Sequence, residues 1–244
     1  MPQVKQRVEL VRHTADGEAL MALAAKLCYA GGDLASLQER IQKNDQRAYI
    51  RKLLQMGHES VMEHISFTFL VEGVSRSLLA QITRHRIASF SVQSQRYVGY
   101  EKGFGYIVPP AVEALGKQAV DEYAAQMDQM LTWYQDWQRK LGTNEDARFV
   151  LPNACETRIL MTMNVRELKH FFALRMCRRA QWEIRVLAET IFGLCYEQTP
   201  ELFADAGPGC LRGACPEGEK SCRQMHAVRL EREEFIAAHE QSNL

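Results

Sequence analysis

Ile65-Ser66-Phe67-Thr68-Phe69-Leu70-Val71 alternates bulky apolar residues with smaller or polar ones. Period two, with β-branched and aromatic residues on the apolar side, predicts a half-buried strand. Gly73 is read as the end of that strand, and Val74, Leu78, Leu79 and Ile82 then recur at helical spacing. Where this helix stops the chain runs Arg84-His85-Arg86-Ile87-Ala88-Ser89-Phe90-Ser91-Val92-Gln93-Ser94-Gln95-Arg96-Tyr97. These fourteen residues hold three arginines, one histidine, four hydroxyls and two amides, and residues 73–100 contain no Asp or Glu. Guanidinium forks interleaved with hydroxyls and amides suit an anionic ligand with planar polar edges, such as a nucleotide. The composition equally describes a solvated basic loop after a helix C-terminus, where cations are favourable in any case. The residues alone leave both readings open.

Working outward, residues 7–13 alternate through Val8 and Leu10 and predict another strand. Helices are expected at residues 17–29, 34–43 and 45–56, the first stopped by Gly31-Gly32 and the last by Gly57. Gly57-His58-Glu59-Ser60-Val61-Met62-Glu63-His64 then feeds the central strand with a polar, titratable segment. Downstream, residues 111–140 read as one long amphipathic helix, whose Trp133, Tyr134 and Trp137 suit a core or an intersubunit seam. A short helix at 144–150 capped by Asn144, a strand at 157–164 and helices at 165–176 and 179–196 follow. The pattern predicts an α+β fold, a single domain with a central, largely antiparallel sheet packed with several helices. Residues 1–200 form that domain in this reading. Residues 201–244 form an extension, rich in Cys, Gly and Pro and then charged and helix-prone over 230–241.

The 244-residue chain has zero formal net charge, with 46% hydrophobic and 25% charged residues. That balance describes an ordinary globular protein and argues against a non-specific nucleic-acid coat. No apolar run approaches the roughly 20 residues of a membrane span, so no membrane partner is expected. The first residues lack the apolar segment of a secretory signal, which points to the cytoplasm, and the seven cysteines read as reduced thiols. Cys28, Cys155, Cys177 and Cys195 read as buried small hydrophobes. Cys210, Cys215 and Cys222 with His226 have irregular spacing and no Cys-x2-Cys unit, and no metal is expected.

A second basic cluster comprises Arg166, Lys169, Arg175, Arg178, Arg179 and Arg185, against only Glu167 and Glu183 in those twenty residues. At about 100° per residue, Arg175 falls in the apolar sector of Leu168, Phe171 and Phe172. A guanidinium there needs a carboxylate, carbonyls or a ligand, since leaving it unpaired would cost several kcal/mol. Arg166 and His170, four apart, share another face suited to one ligand, and Trp182 reads as packing. No dinucleotide fingerprint, P-loop or nucleophile elbow occurs. Ser94 lacks a local base and orienter, so its hydroxyl reads as a binding group.

Arg84-His85-Arg86, seven residues and then Ser94 resembles the signature of the flavin-dependent thymidylate synthases. The similarity extends through Gly57-His58-Glu59-Ser60, Glu63-His64, Gln81, Ser94-Gln95-Arg96-Tyr97, Arg148 before Val150-Leu151-Pro152, Asn164-Val165-Arg166, Leu174-Arg175 and Ala180-Gln181-Trp182-Glu183, spanning residues 57–197. The resemblance implies a homotetramer with FAD and substrate between subunits. It implies reductive methylation of dUMP to dTMP, with 5,10-methylenetetrahydrofolate as carbon donor, NADPH reducing through FAD, and tetrahydrofolate released.

By the same resemblance Arg175 is catalytic, stabilising negative charge on the uracil ring. Gln81, Arg84, Ser94, Gln95, Arg96, Arg148 and Arg175 hold dUMP. Ser60, Arg84, His85, Arg86, Asn164, Val165, Arg166 and His170 hold FAD, and His58 orders the site. Val92 stands where many relatives have an acidic or amide residue, and Arg179 where some have histidine. Two other functions compete: a nucleotide- or RNA-binding module without catalysis, and a flavin-dependent uridine methyltransferase acting on RNA.

Overall fold

Alternation along the Ile65–Val71 stretch becomes the longest strand of a four-stranded sheet. The structure, a computed structural model, describes residues 1–242. Its strands are β1 (Arg7–His13), β2 (Ser66–Ser75), β3 (Ala88–Val92) and β4 (Glu156–Asn164). The helices begin with α1 (Gly17–Leu27), α2 (Leu34–Lys43), α3 (Arg47–Gln55), α4 (Arg76–Ile82), α5 (Pro110–Glu113) and α6 (Lys117–Leu141). They continue with α7 (Asn144–Ala147), α8 (Val165–Arg175), α9 (Trp182–Gln198), α10 (Pro200–Phe203) and α11 (Met225–Ser242). The α+β expectation holds. The chain gathers into two compact units, residues 1–13 with 67–163, and residues 14–66 with 164 onward.

The first unit carries the sheet, in the order β1-β2-β4-β3, with β1 antiparallel to β2 and β3 antiparallel to β4. Phe67, Phe69 and Val71 are fully buried on one face of β2, as the alternation requires. The Thr68 and Thr162 hydroxyls lie 2.9 Å apart, linking the neighbouring strands β2 and β4. A register shift between Leu10 and Arg12 makes a bulge in β1, absorbing the run Leu10-Val11 that strict alternation does not accommodate.

Gly73 does not end β2. The strand continues through Ser75, whose side chain caps α4 by accepting from the Leu78 N–H at 3.0 Å. Gly73 has φ of 65° and donates its N–H to Glu156 Oε1 at 3.1 Å. A Cβ there would lie 2.1 Å from the Lys5 carbonyl oxygen, so the glycine permits a close backbone approach inside the strand.

The basic segment is not a loop, because its middle residues 88–92 form β3. The expected helix over 111–140 is two helices, interrupted at Gly116 with φ of 94°. Within α6, Met127 and Tyr134 are buried while Trp133 and Trp137 stay about half exposed. Tyr134 packs edge-on against Tyr100, and with Phe104 and Tyr106 forms an aromatic core. Thr143, not Asn144, caps α7, accepting from the Glu145 N–H at 3.2 Å. Asn144 is engaged elsewhere, its Oδ1 accepting from the Tyr134 hydroxyl at 3.1 Å and from Gln138 at 2.6 Å.

The second unit is helical. Asp33 caps α2 through the Ser36 N–H at 3.0 Å. The core of α8, α9 and α10 centres on Phe172, edge-on to Phe192 and to Phe203. Cys155 in the first unit and Cys195 here are buried as expected, whereas Cys177 is half-buried and Cys28 is exposed just after α1. The charged helix α11 starts at Met225, earlier than residue 230. Among the described residues no helix is long and apolar enough to cross a membrane.

Gly73→Ala is expected to cost about 2–3 kcal/mol, since the new methyl would lie 2.1 Å from the Lys5 carbonyl oxygen and a φ of 65° strains any residue with a side chain. A urea melt with an unshifted midpoint would show that the β1–β2 edge tolerates the side chain.

Candidate active site

In the first unit the sequence-selected residues sit at the two ends of β3. Ahead of it, α4 ends at Ile82, with Gln81 half-buried in its last turn and donating to the Ser77 carbonyl at 3.2 Å. Arg84 and Arg86 follow on an exposed turn, and among the described residues neither forms an ion pair. His85 between them is buried. The strand pairs Ala88 with Met163 and Val92 with Ile159, so the two arginines precede the end of β3 that faces the C-terminal end of β4.

Beyond β3 the chain turns at Ser94, whose hydroxyl accepts from the Arg96 N–H at 3.2 Å and whose carbonyl accepts from the Val98 N–H at 3.0 Å. Arg96 donates through Nε to Glu145 Oε2 at 2.9 Å, and Arg148 donates through Nε to the Glu145 carbonyl at 2.9 Å. Two guanidinium groups, 52 residues apart in sequence, thus converge on one residue. Arg96 also lines a cavity of about 500 Å³ with Arg139, Thr143 and Asn144. Glu145 and Arg139 carried no signal in the sequence beyond their charge.

Gln95 turns inward instead. It is buried, and its amide donates to the Tyr100 hydroxyl and the Cys155 sulfur, each at 3.5 Å. Burial raises the Tyr100 hydroxyl well above its ordinary range and lifts the Cys155 thiol to about 11. Cys155 is therefore protonated and unsuited to nucleophilic attack at neutral pH.

In the second unit the selected residues lie on the segment after α3 and on α8. His58 and Ser60 are exposed, Ser60 at the start of the 3-10 turn Ser60–His64. Asn164 caps α8, its Oδ1 accepting from the Glu167 N–H at 2.9 Å, and the buried Val165 donates its N–H to the Ile65 carbonyl at 2.8 Å. Arg166 and His170 are both exposed, one turn apart, as the helical spacing requires. Arg166 pairs with Glu63 and lies 3.5 Å from Glu59, and the Glu63 hydrogen bond raises its guanidinium further above the ordinary range. The Gly57–His64 segment and α8 are thereby joined by charge.

Arg175 is half-buried in the last turn of α8, beyond the fully buried Leu168, Phe171 and Phe172. The rest of the second basic cluster is largely neutralised. Lys169 is buried and pairs with Asp205 at 2.6 Å, Arg178 pairs with Glu231, and Arg185 lies 3.9 Å from Glu189. Arg179 donates to the Lys220 carbonyl. These partners lie outside residues 166–185, Glu189 by only a few residues.

The sequence matches the family described as Thy1, thymidylate synthase complementing protein, over residues 9–201. It is 48% identical over 232 residues to a flavin-dependent thymidylate synthase of Geobacter sulfurreducens, covering 94% of this chain and all of that one. A flavin-dependent thymidylate synthase of Nitratidesulfovibrio vulgaris is 47% identical over 233 residues, covering 90% and 95% of the two chains. Among solved structures, a UMP/dUMP methylase from Streptomyces cacaoi, bound with 5-Br dUMP, superposes with a TM-score of 0.70 at 27% identity. That match covers 84% of this chain and 97% of the other. The signature at Arg84–Ser94, the residues around it and this breadth of similarity agree, and the chain belongs to the flavin-dependent thymidylate synthase family.

Proposed function

We propose that this chain methylates dUMP to dTMP, taking the one-carbon unit from 5,10-methylenetetrahydrofolate and two electrons from NADPH through FAD, and releasing tetrahydrofolate and NADP+. Its main support within the structure is the pair Arg84 and Arg86, exposed cations without a carboxylate partner among the described residues. Exposed arginines left unmatched in a chain of zero net charge suit a multiply anionic ligand, because planar forks bind phosphate oxygens two at a time.

The donor set fits a flavin dinucleotide. Arg84, His85 and Arg86 would hold its phosphates, and Ser60, Asn164, Val165, Arg166 and His170 its polar edges. When bound, the flavin supplies hydride. Arg84 and Gln81 of one subunit would meet dUMP together with Ser94, Arg96 and Arg148 of another, with Arg96 and Arg148 exchanging Glu145 for the phosphate. Gln95 would contribute by bracing the 93–97 turn, its amide donating to Tyr100 rather than to the nucleotide.

Arg175 would lie against the uracil and stabilise the N3-deprotonated or enolate-like form of the ring, whose C5 is the nucleophile toward the one-carbon unit. His58 would order the site. No thiolate of this chain is needed for that step. The homotetramer implied by the family resemblance, with each active site shared between subunits, and a cytoplasmic location complete the reading. Residues 1–200 would form the catalytic domain and 201–244 an extension to it.

Formation of dTMP with NADPH, dUMP and methylenetetrahydrofolate supplied together tests the activity, and no product from FAD-loaded protein would overturn it. Arg175→Lys should lose at least about 100-fold in turnover while retaining FAD, because an ammonium cannot reproduce the planar fork. Unchanged turnover would remove Arg175 from the chemistry. Arg84→Ala with Arg86→Ala should weaken FAD binding at least about tenfold in a flavin titration, each lost charged contact being worth about 1.5–3 kcal/mol. An unchanged affinity would place the flavin elsewhere.

A further inference from the structure

Residues 204–224 form one long connection between α10 and α11, with no strand and only two short 3-10 turns, Gly209–Leu211 and Gly218–Lys220. Ordered loops longer than about 12–15 residues usually have a local reason to hold their shape. Its buried residues, Ala206, Gly207, Pro208 and Cys210, are confined to its first part, and none from 211 to 224 is buried, so an apolar core does not account for the second part. The loop instead brings three cysteines, Cys210, Cys215 and Cys222, to the wall of one cavity of about 380 Å³. The fourth cysteine on that wall is Cys177, from the turn between α8 and α9.

We propose that Cys177, Cys210, Cys215 and Cys222 are the four thiolate ligands of one thiophilic metal centre. Three of them were visible in the sequence with irregular spacing, and the ligand that completes the set lies 33 residues upstream of Cys210. His226, the residue nearest in sequence, is exposed and does not line this cavity. None of the four is in a disulfide. Four thiols on the wall of one cavity would repel one another if ionised together. A bound cation removes that repulsion and deprotonates the thiols outright. Arg179 lines the same cavity and would offset part of the net negative charge of a four-thiolate centre.

Thiolate ligation suits zinc or an iron–sulfur cluster. A single zinc ion with sulfurs at about 2.3 Å in a tetrahedron sets them about 3.8 Å apart. Among the described residues these sulfurs do not form a set within 4.8 Å of one another, so zinc requires the loop to draw inward. A polynuclear iron–sulfur cluster, with thiolates on separate irons, accepts the wider arrangement. Either centre would tie the C-terminal end of α8 to the 204–224 loop.

Elemental analysis of protein purified anaerobically without chelators tests the site. The expected result is about one zinc per chain, or about two to four irons with matching acid-labile sulfide. Cys210→Ser and Cys215→Ser should lose at least fivefold of that metal, and Cys28→Ser none. If the variants fail to fold, the wild-type protein still decides. Alkylation mapped by mass spectrometry should find Cys215 and Cys222 protected until a strong chelator is added. Less than about a tenth of an equivalent of metal after incubation with zinc, or with iron and sulfide, would overturn the proposal. Full alkylation of Cys215 and Cys222 before any chelator is added would do the same.

Discussion

Backbone pairing between β3 and β4 is the constraint on which the rest depends. Five residue pairs, from Ala88 opposite Met163 to Val92 opposite Ile159, fix a short strand at one edge of the sheet. Five residues span about 17 Å, so the ladder holds Arg84 and Arg86 at one end and Ser94 and Arg96 at the other. A loop of the same composition would leave both groups free to collapse onto the nearest carboxylate. Held apart, one group stays without an ion pair among the described residues, and the other meets Glu145, which also accepts from Arg148.

Charge in this chain divides into matched and unmatched sets. After the start of α8, two cations are answered by acids distant in sequence, Lys169 by Asp205 and Arg178 by Glu231. Lys169 is buried and needs its partner, since an uncompensated charge there would be costly. Arg84 and Arg86 are exposed and cost little unpaired, so the fold keeps them available to a ligand. Glu59 and Glu63 play an intermediate part, orienting Arg166 at the surface without burying it.

Much of the architecture was legible because it rests on local periodicity. The face of β2, the limits of α2 and the run of α8 follow from spacing and caps within a few residues. What failed to show depends on partners far along the chain. Ser89, Phe90 and Ser91 are a weak strand signal until β4 is beside them, and Gly73 looks like a break until the Lys5 carbonyl is seen against it. Asn144 has the chemistry of a cap, but Tyr134 and Gln138 already occupy its side chain. In the candidate site the arginines were visible from composition, but Glu145 was not, and Gln95 proved to face the core. The resemblance to the family, not spacing, assigned roles to Arg175 and His58.

The flavin spectrum of the purified protein tests the proposed chemistry most directly. With oxygen excluded, NADPH should bleach the FAD absorption, and adding dUMP and methylenetetrahydrofolate together should restore it with about one dTMP formed per flavin oxidised. A flavin that stays reduced in the presence of both, or a protein that remains colourless after incubation with FAD, would contradict the assignment of these residues to flavin-driven methylation of dUMP.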